Sequence, residues 1–272
     1  MIRRLISLIV LIVALTTLVS LAGTSQQLTP ALTSLLRLED RRAASTVSTE
    51  SLPAYTRKVA GKPRFQRYFT RLALSDDAGA SPHSGQITRW TKRRVRIDIL
   101  NNGGAGTEAY VRRLVSRLNH MQSTTRFMLV DGSADITIEF LSHEAYALAV
   151  GDDSVGNCET RFYMGTPGLV SAAIKIDAGA LDSPEERRAV IIHELTHALG
   201  FKGHLSQPRD RTRSVLYYAA SIDQWTQDDG AAIRIMYSSK IKNGMNAANV
   251  RKALRRISAA QPASSAEGRA TP

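Results

Sequence analysis

The sequence predicts an α+β domain over residues 86–245, because strand-like and helix-like periodicities alternate along that stretch. Three observations carry the prediction. Arg94-Val95-Arg96-Ile97-Asp98-Ile99-Leu100 alternates polar and apolar residues, the pattern of a half-buried strand. Residues 107–121 set Tyr110, Val111, Leu114, Val115, Leu118 and Met121 at helical spacing. Ser183-Pro184-Glu185-Glu186 supplies an N-cap serine, a proline at N1 and a glutamate at N3, a capping box ahead of an apolar stripe of Ile191, Ile192, Leu195 and Leu199.

Taken in order, the chain opens on Arg3-Arg4 and an almost wholly apolar run from Leu5 to Leu21, closed by Ser20-Leu21-Ala22. A charged n-region, an apolar h-region and small residues at the cleavage positions make 1–22 a signal peptide. The run also approaches the roughly 18–20 residues of a membrane anchor, and either form exports the chain. Residues 23–85 are expected to be a linker or pro-segment. They are rich in Ser, Thr and Ala at first, then carry an ordered lead-in at 54–74 with Tyr55, Phe65, Tyr68, Phe69 and Leu72, and end in the loop SDDAGASPHSG. The strand at 94–100 ends on NNGG, and the helix at 107–121 follows. Two apolar stretches, 126–130 and 135–141, flank Asp131-Gly132, a tight-turn signal that makes them a hairpin. Strands at 158–164 and 170–176 form a second hairpin around Gly165-Thr166-Pro167-Gly168. After the capped helix comes another at about 226–238, and 246–272 is a basic polar tail, with an amphipathic helix at 247–257 before a disordered QPASSAEGRATP.

Composition narrows the function classes. Hydrophobic residues make up 43% of the 272, enough for a real core. The net charge of +12 and pI near 10.2 favour acidic partners and leave contact with an anionic envelope surface open. The cations are dispersed, in Arg93-Arg94, Arg209-Arg211-Arg213 and Arg251-Lys252-Arg255-Arg256, without interleaved aromatics, so nucleic-acid binding is not expected. The single cysteine, Cys158, forms no internal disulfide. A buried inert thiol is its simplest role; a zinc ligand or a latency switch are the others.

The chemistry concentrates in HELTHALGFKGH, residues 193–204. On a helix, His193 and His197 lie one turn apart on one face, where both imidazoles can bind one zinc ion, while Glu194 reaches a water on that metal. A four-coordinate catalytic zinc takes a third protein ligand and leaves its last position to water. His204 is the direct candidate, since Gly200 can reverse the chain in the left-handed conformation and Gly203 frees the loop to return. Asp210 or Asp223 could substitute. His83, His120 and His143 have no ligand spacing and read as loop, helix-end and loop residues. Zinc acidifies its water and polarises a carbonyl, with Glu194 as general base and then general acid. The strand at 158–164 is the candidate rim on which an extended peptide would pair.

At these residues the chain resembles the metzincin clan of zinc peptidases, whose motif is HExxHxxGxxH followed by a methionine-containing turn. His193, Glu194, His197 and Gly200 match position by position, and His204 falls one residue late because Phe201-Lys202-Gly203 is one residue longer. Ser214-Val215-Leu216-Tyr217-Tyr218 is similar to the S-V-M-x-Y turn, with Leu216 where the clan has methionine. Trp225 to Tyr237 resembles the clan's C-terminal helix. The resemblance implies a small twisted mixed sheet with a long helix behind it, an active-site helix, a Met-turn-like loop and a C-terminal helix. It also implies a role for Tyr218 at the zinc or the transition state. A narrower likeness, to an uncharacterised bacterial family of exported metzincin-like proteins, rests on HELT-x-x-LG and Gly244-Met245. The expected function is therefore an exported zinc-dependent endopeptidase acting on a peptide or protein substrate. The alternatives are a non-catalytic zinc-containing envelope binding module and a binder of anionic cell-surface polymer.

Overall fold

The computed structural model describes residues 52–77, 81–101, 103–205, 214–218 and 222–260. The signal or anchor at 1–22, the linker at 23–51, Asp210 and the tail at 261–272 lie outside those residues. Among the described residues, no helix is long and apolar enough to cross a membrane.

The described chain is α+β. Two helices come first, α1 (Ala54–Ala60) and α2 (Pro63–Leu74), then β1 (Arg94–Leu100), α3 (Thr107–Met121), β2 (Arg126–Leu129), β3 (Ile136–Leu141), α4 (His143–Ala149), β4 (Gly156–Phe162) and β5 (Leu169–Asp177). Three more helices complete it: α5 (Pro184–Ala198), α6 (Gln227–Met236) and α7 (Ala247–Ala259). The strands form one five-stranded sheet in the order β2-β1-β3-β5-β4. All neighbours are parallel except β4, which runs antiparallel to β5 at one edge. Helix α3 lies against β2, and α5 lies against β4 and β5; the two helices touch, so they cover the same face of the sheet. The strands bury Val95, Ile97, Phe127, Ile136, Ile138, Ile174 and Ile176.

Local periodicity located β1 and α3 to the residue, but pairing across the sheet departs from the expectation at β2 and β3. They are not a hairpin. Both run parallel to β1, on opposite sides of it, β2 alongside Arg94 to Ile97 and β3 alongside Ile97 to Leu100. Asp131-Gly132 does turn the chain, with Gly132 at φ 100° and its N–H donating to Asp98 Oδ2 at 2.9 Å. The turn carries the chain across β1 without reversing it, since a two-residue signal fixes local backbone and not the partner strand. The second expected hairpin does form, between β4 and β5, with a register irregularity between Arg161 and Phe162. Helix α4 was not expected. It has seven residues and one buried side chain, Tyr146, too little for a periodic signal, although Ser142 caps it through the Ala145 N–H.

The folded unit reaches past the boundaries drawn from sequence at 86 and 245. Helix α2 buries Phe65, Tyr68, Phe69 and Leu72 in the common core, and α7 buries Val250, Ala253, Leu254 and Ile257. The two helices pack on each other, and α1 packs on α6 and α7. Both segments show in the sequence, as an ordered lead-in and an amphipathic helix, but local spacing does not reveal that their apolar faces join the common core.

Candidate metal centre

Helix α5 is built to hold its second half rigidly inside the protein. Its capping box forms as the sequence implies: the Glu186 N–H donates to Ser183 Oγ and the Ser183 N–H to Glu186 Oε2, both at 3.1 Å. From Ala189 to Thr196 every residue is buried, so this half has no solvent face. Its last carbonyls find partners from elsewhere in the chain. Trp90 Nε1–H donates to the Ala198 carbonyl at 2.8 Å and the Tyr237 hydroxyl to the Leu199 carbonyl at 3.0 Å. Gly200 then leaves the helix at φ 106°, where a Cβ would stand 2.0 Å from the Thr88 carbonyl oxygen. Only glycine fits that turn.

The turn returns the chain so that His204 meets His193 and His197. The Nε2 atoms of the three rings form a near-equilateral triangle, 3.1 Å for His193–His197, 3.1 Å for His193–His204 and 3.0 Å for His197–His204. Each ring is oriented by its other nitrogen. His193 Nδ1 sits 2.8 Å from the Val215 carbonyl, His197 Nδ1 2.5 Å from the Phe201 carbonyl, and His204 Nδ1 3.3 Å from Asp77 Oδ2. These oxygens only accept, so Nδ1 carries the proton in each neutral ring, and every Nε2 is left as an acceptor. Burial, followed by the charge of the neighbouring histidines, pushes His193 down to about 4 and His197 well below the ordinary imidazole range; burial also lowers His204. Three neutral imidazoles thus aim three lone pairs at one point, an arrangement relieved by a cation there. The three histidines can hold a metal ion.

The turn at 214–218 lies beside them: its Val215 carbonyl meets His193, and the Tyr218 ring stacks on His204 with centroids 4.4 Å apart and planes 15° apart, while Leu216 between them is fully buried. Asp229 anchors this turn to α6. It accepts from Ser214 Oγ at 2.7 Å, from the Tyr68 hydroxyl at 2.6 Å and from the Thr226 N–H at 2.9 Å, and it completes the capping box of α6.

Glu194 is buried on the same helix, against the edge strand. A Cβ at Gly156 of β4 would fall 2.7 Å from Glu194 Oε1, so glycine there leaves room for the carboxylate. Burial alone pushes Glu194 up to about 8. His193, Glu194, His197, His204 and Tyr218 all line one cleft of about 1210 Å³, with β4 from Gly156 to Phe162 along its other wall.

The structure brings together every residue singled out for the site from sequence. The other candidates among the described residues lie elsewhere. Asp223 pairs with Arg188 at 3.0 Å, His143 with Asp177 at 2.7 Å, and His120 with the Ser116 carbonyl at 2.7 Å; His83 packs edge-on against Phe162. Cys158 lines the cleft from β4 but is not in the histidine group, and burial pushes its thiol well up, which suits an inert thiol. Sequence reasoning missed Asp77, which falls in a loop ahead of the expected domain. Its carboxylate accepts the His204 backbone N–H at 2.6 Å and meets Arg71 Nη2 at 3.0 Å. No spacing signal joins positions so far apart in the chain.

Compared with known families, the chain matches the one described as protein of unknown function (DUF2927) over residues 63–256, and it belongs to that family. The matched span starts at the head of α2 and ends within α7, so it takes in the histidine triad, α2 and most of α7. No curated protein matches the chain.

Proposed function

For this member of the family, we propose a zinc-dependent, metzincin-like endopeptidase, exported and acting on an extended peptide or protein segment. The observation that carries the proposal is the convergence of three neutral Nε2 atoms beside a buried glutamate in an open cleft. Three imidazole nitrogens suit zinc, whereas calcium and magnesium demand oxygen donors. Nitrogens bound to a tetrahedral zinc at about 2.1 Å would stand about 3.4 Å apart, so the triangle needs only a slight widening. His193, His197 and His204 would hold the ion, and no thiol or carboxylate joins them among the described residues.

The bound zinc supplies Lewis acidity towards a carbonyl and acidifies a water. The protein's own groups supply the rest. With the cation's charge nearby to offset the rise from burial, Glu194, set against Gly156, would take the proton of the attacking water and return it to the leaving amine. Tyr218, exposed and stacked on His204, would donate its hydroxyl to a developing oxyanion. Among the described residues, strand β4 pairs with β5 alone, and its residues line the cleft, where an extended substrate could add a strand. The five-stranded mixed sheet, the buried helix α5, the turn at 214–218 beside its histidines and the following helix α6 support the reading.

The test combines metal analysis with cleavage of a peptide library by the wild-type chain and Glu194→Ala. We expect about one zinc per chain in both, with cleavage reduced at least about 100-fold in the variant, the scale of general-base catalysis. Zinc without hydrolysis in either protein would instead make the domain a non-catalytic binding module. A folded chain that binds no zinc would end both.

A further inference from the structure

We propose that Asp77 is a positioning residue for the third histidine, and that α2 with the loop after it is a built part of the metal centre. The inference rests on the reading of the three histidines as a metal site. His193 and His197 ride on a buried helix, and their rings are oriented by backbone carbonyls of neighbouring segments. His204 has no helix to hold it. On one side Leu205 pairs with the turn at 214–218, its N–H donating to the Leu216 carbonyl at 2.9 Å, and Tyr218 stacks on the ring; on the other, two side chains of the N-terminal segment hold His204. Asp77 Oδ2 accepts its backbone N–H at 2.6 Å and faces its ring Nδ1 at 3.3 Å, while Arg71 Nε–H donates to its carbonyl at 2.9 Å. Arg71 and Asp77 are themselves joined at 3.0 Å through Nη2 and Oδ1. The His204 N–H, its carbonyl and the ring nitrogen opposite the metal face are thus all engaged by one ion pair.

The approach to His204 is fitted to the same helix end. The Gly203 N–H donates to the Leu72 carbonyl at 3.0 Å, and a Cβ on Gly203 would stand 2.2 Å from the Arg71 carbonyl oxygen. Phe201 meets Phe69 edge-on at 6.3 Å, and Lys202 Nζ donates to the His83 carbonyl at 2.7 Å. Phe201-Lys202-Gly203 is therefore laid against the C-terminal turn of α2 and the loop beyond it. This accounts for the late position of His204: the loop takes one further residue to pass the helix end, and Asp77 receives the histidine on the far side. A carboxylate behind a metal-bound imidazole fixes its tautomer and orientation and makes its other nitrogen a better donor.

The role is tested on the full chain by Zn²⁺ affinity, measured against a chromophoric chelator, and by the visible absorption of the Co²⁺-substituted protein. Asp77→Ala should weaken Zn²⁺ binding about 10- to 100-fold, the range for loss of such a partner, and should dim the four-coordinate Co²⁺ band. Asp77→Asn keeps an acceptor oxygen but not the charge, and should fall between wild type and Asp77→Ala. Circular dichroism checks that each variant is folded; if Asp77→Ala is not, Asp77→Asn decides alone. Affinity within about twofold of wild type, with an unchanged Co²⁺ spectrum, would overturn the role of Asp77 and leave the metal site standing. A folded wild-type chain that binds neither Zn²⁺ nor Co²⁺ would overturn the metal reading itself.

Discussion

At the residue scale, the site depends on what lies behind each histidine as much as on the histidines. Val215 and Phe201 carbonyls and the Asp77 carboxylate each engage an Nδ1, and that turns three ε nitrogens inwards. The motif predicts the meeting of His193 and His197 because helical spacing is local, and Gly200 predicts the reversal because φ above zero suits glycine. Asp77 was illegible because its partner is 127 residues away and a loop carboxylate has no pattern. Gly200 offers the sharpest single-residue prediction. At φ 106°, and with the Thr88 carbonyl oxygen 2.0 Å from where a Cβ would sit, Gly200→Ala should cost about 2–4 kcal/mol in denaturant unfolding. A cost below about 1 kcal/mol would mean that the turn tolerates a side chain and does not fix the return of His204.

At the element scale, long periodic stretches were legible and long-range pairing was not. The residues of α3 and α5 announce themselves by spacing and caps, whereas β2 and β3 are each compatible with a hairpin until β1 inserts between them. Helix α4 hid because a seven-residue helix with one buried side chain leaves little trace. Its His143 nonetheless makes a pH-dependent tie to the end of β5. Its hydrogen bond to Asp177 Oδ2, and then the charge of that carboxylate, raise the His143 pKa; Asp152 and Glu144 add to the rise, and Asp177 Oδ1 separately accepts from the Gly179 and Ala180 N–H groups. A histidine raised on folding stabilises the fold fully below its unfolded pKa of about 6.5, and that contribution is lost as pH climbs through the higher folded value. His143→Ala should therefore lower Tm more at about pH 5.5 than at about pH 8.5. An equal loss at both pH values would show that the ion pair adds nothing to the fold.

At the scale of the whole molecule, the cleft joins elements from both ends of the described chain. Helix α2 and its loop brace His204, β4 forms one wall, α5 supplies His193, Glu194 and His197, and the turn at 214–218, anchored by Asp229 to α6, meets His193 and His204. The sequence pointed to the centre of this assembly and marked α2 and α7 as an ordered lead-in and an amphipathic helix, but not that both pack into its core, which joins positions too far apart to leave a pattern. Family membership spans the same assembly, from α2 to α7. Everything proposed for the cleft requires a metal at the point where the three ε nitrogens meet. Zinc K-edge X-ray absorption of the purified chain tests that most directly. It should show one four-coordinate zinc with three imidazole nitrogens at about 2.0–2.1 Å, reduced to two in His204→Ala. A folded chain without zinc, or a zinc shell unaffected by that substitution, would contradict it.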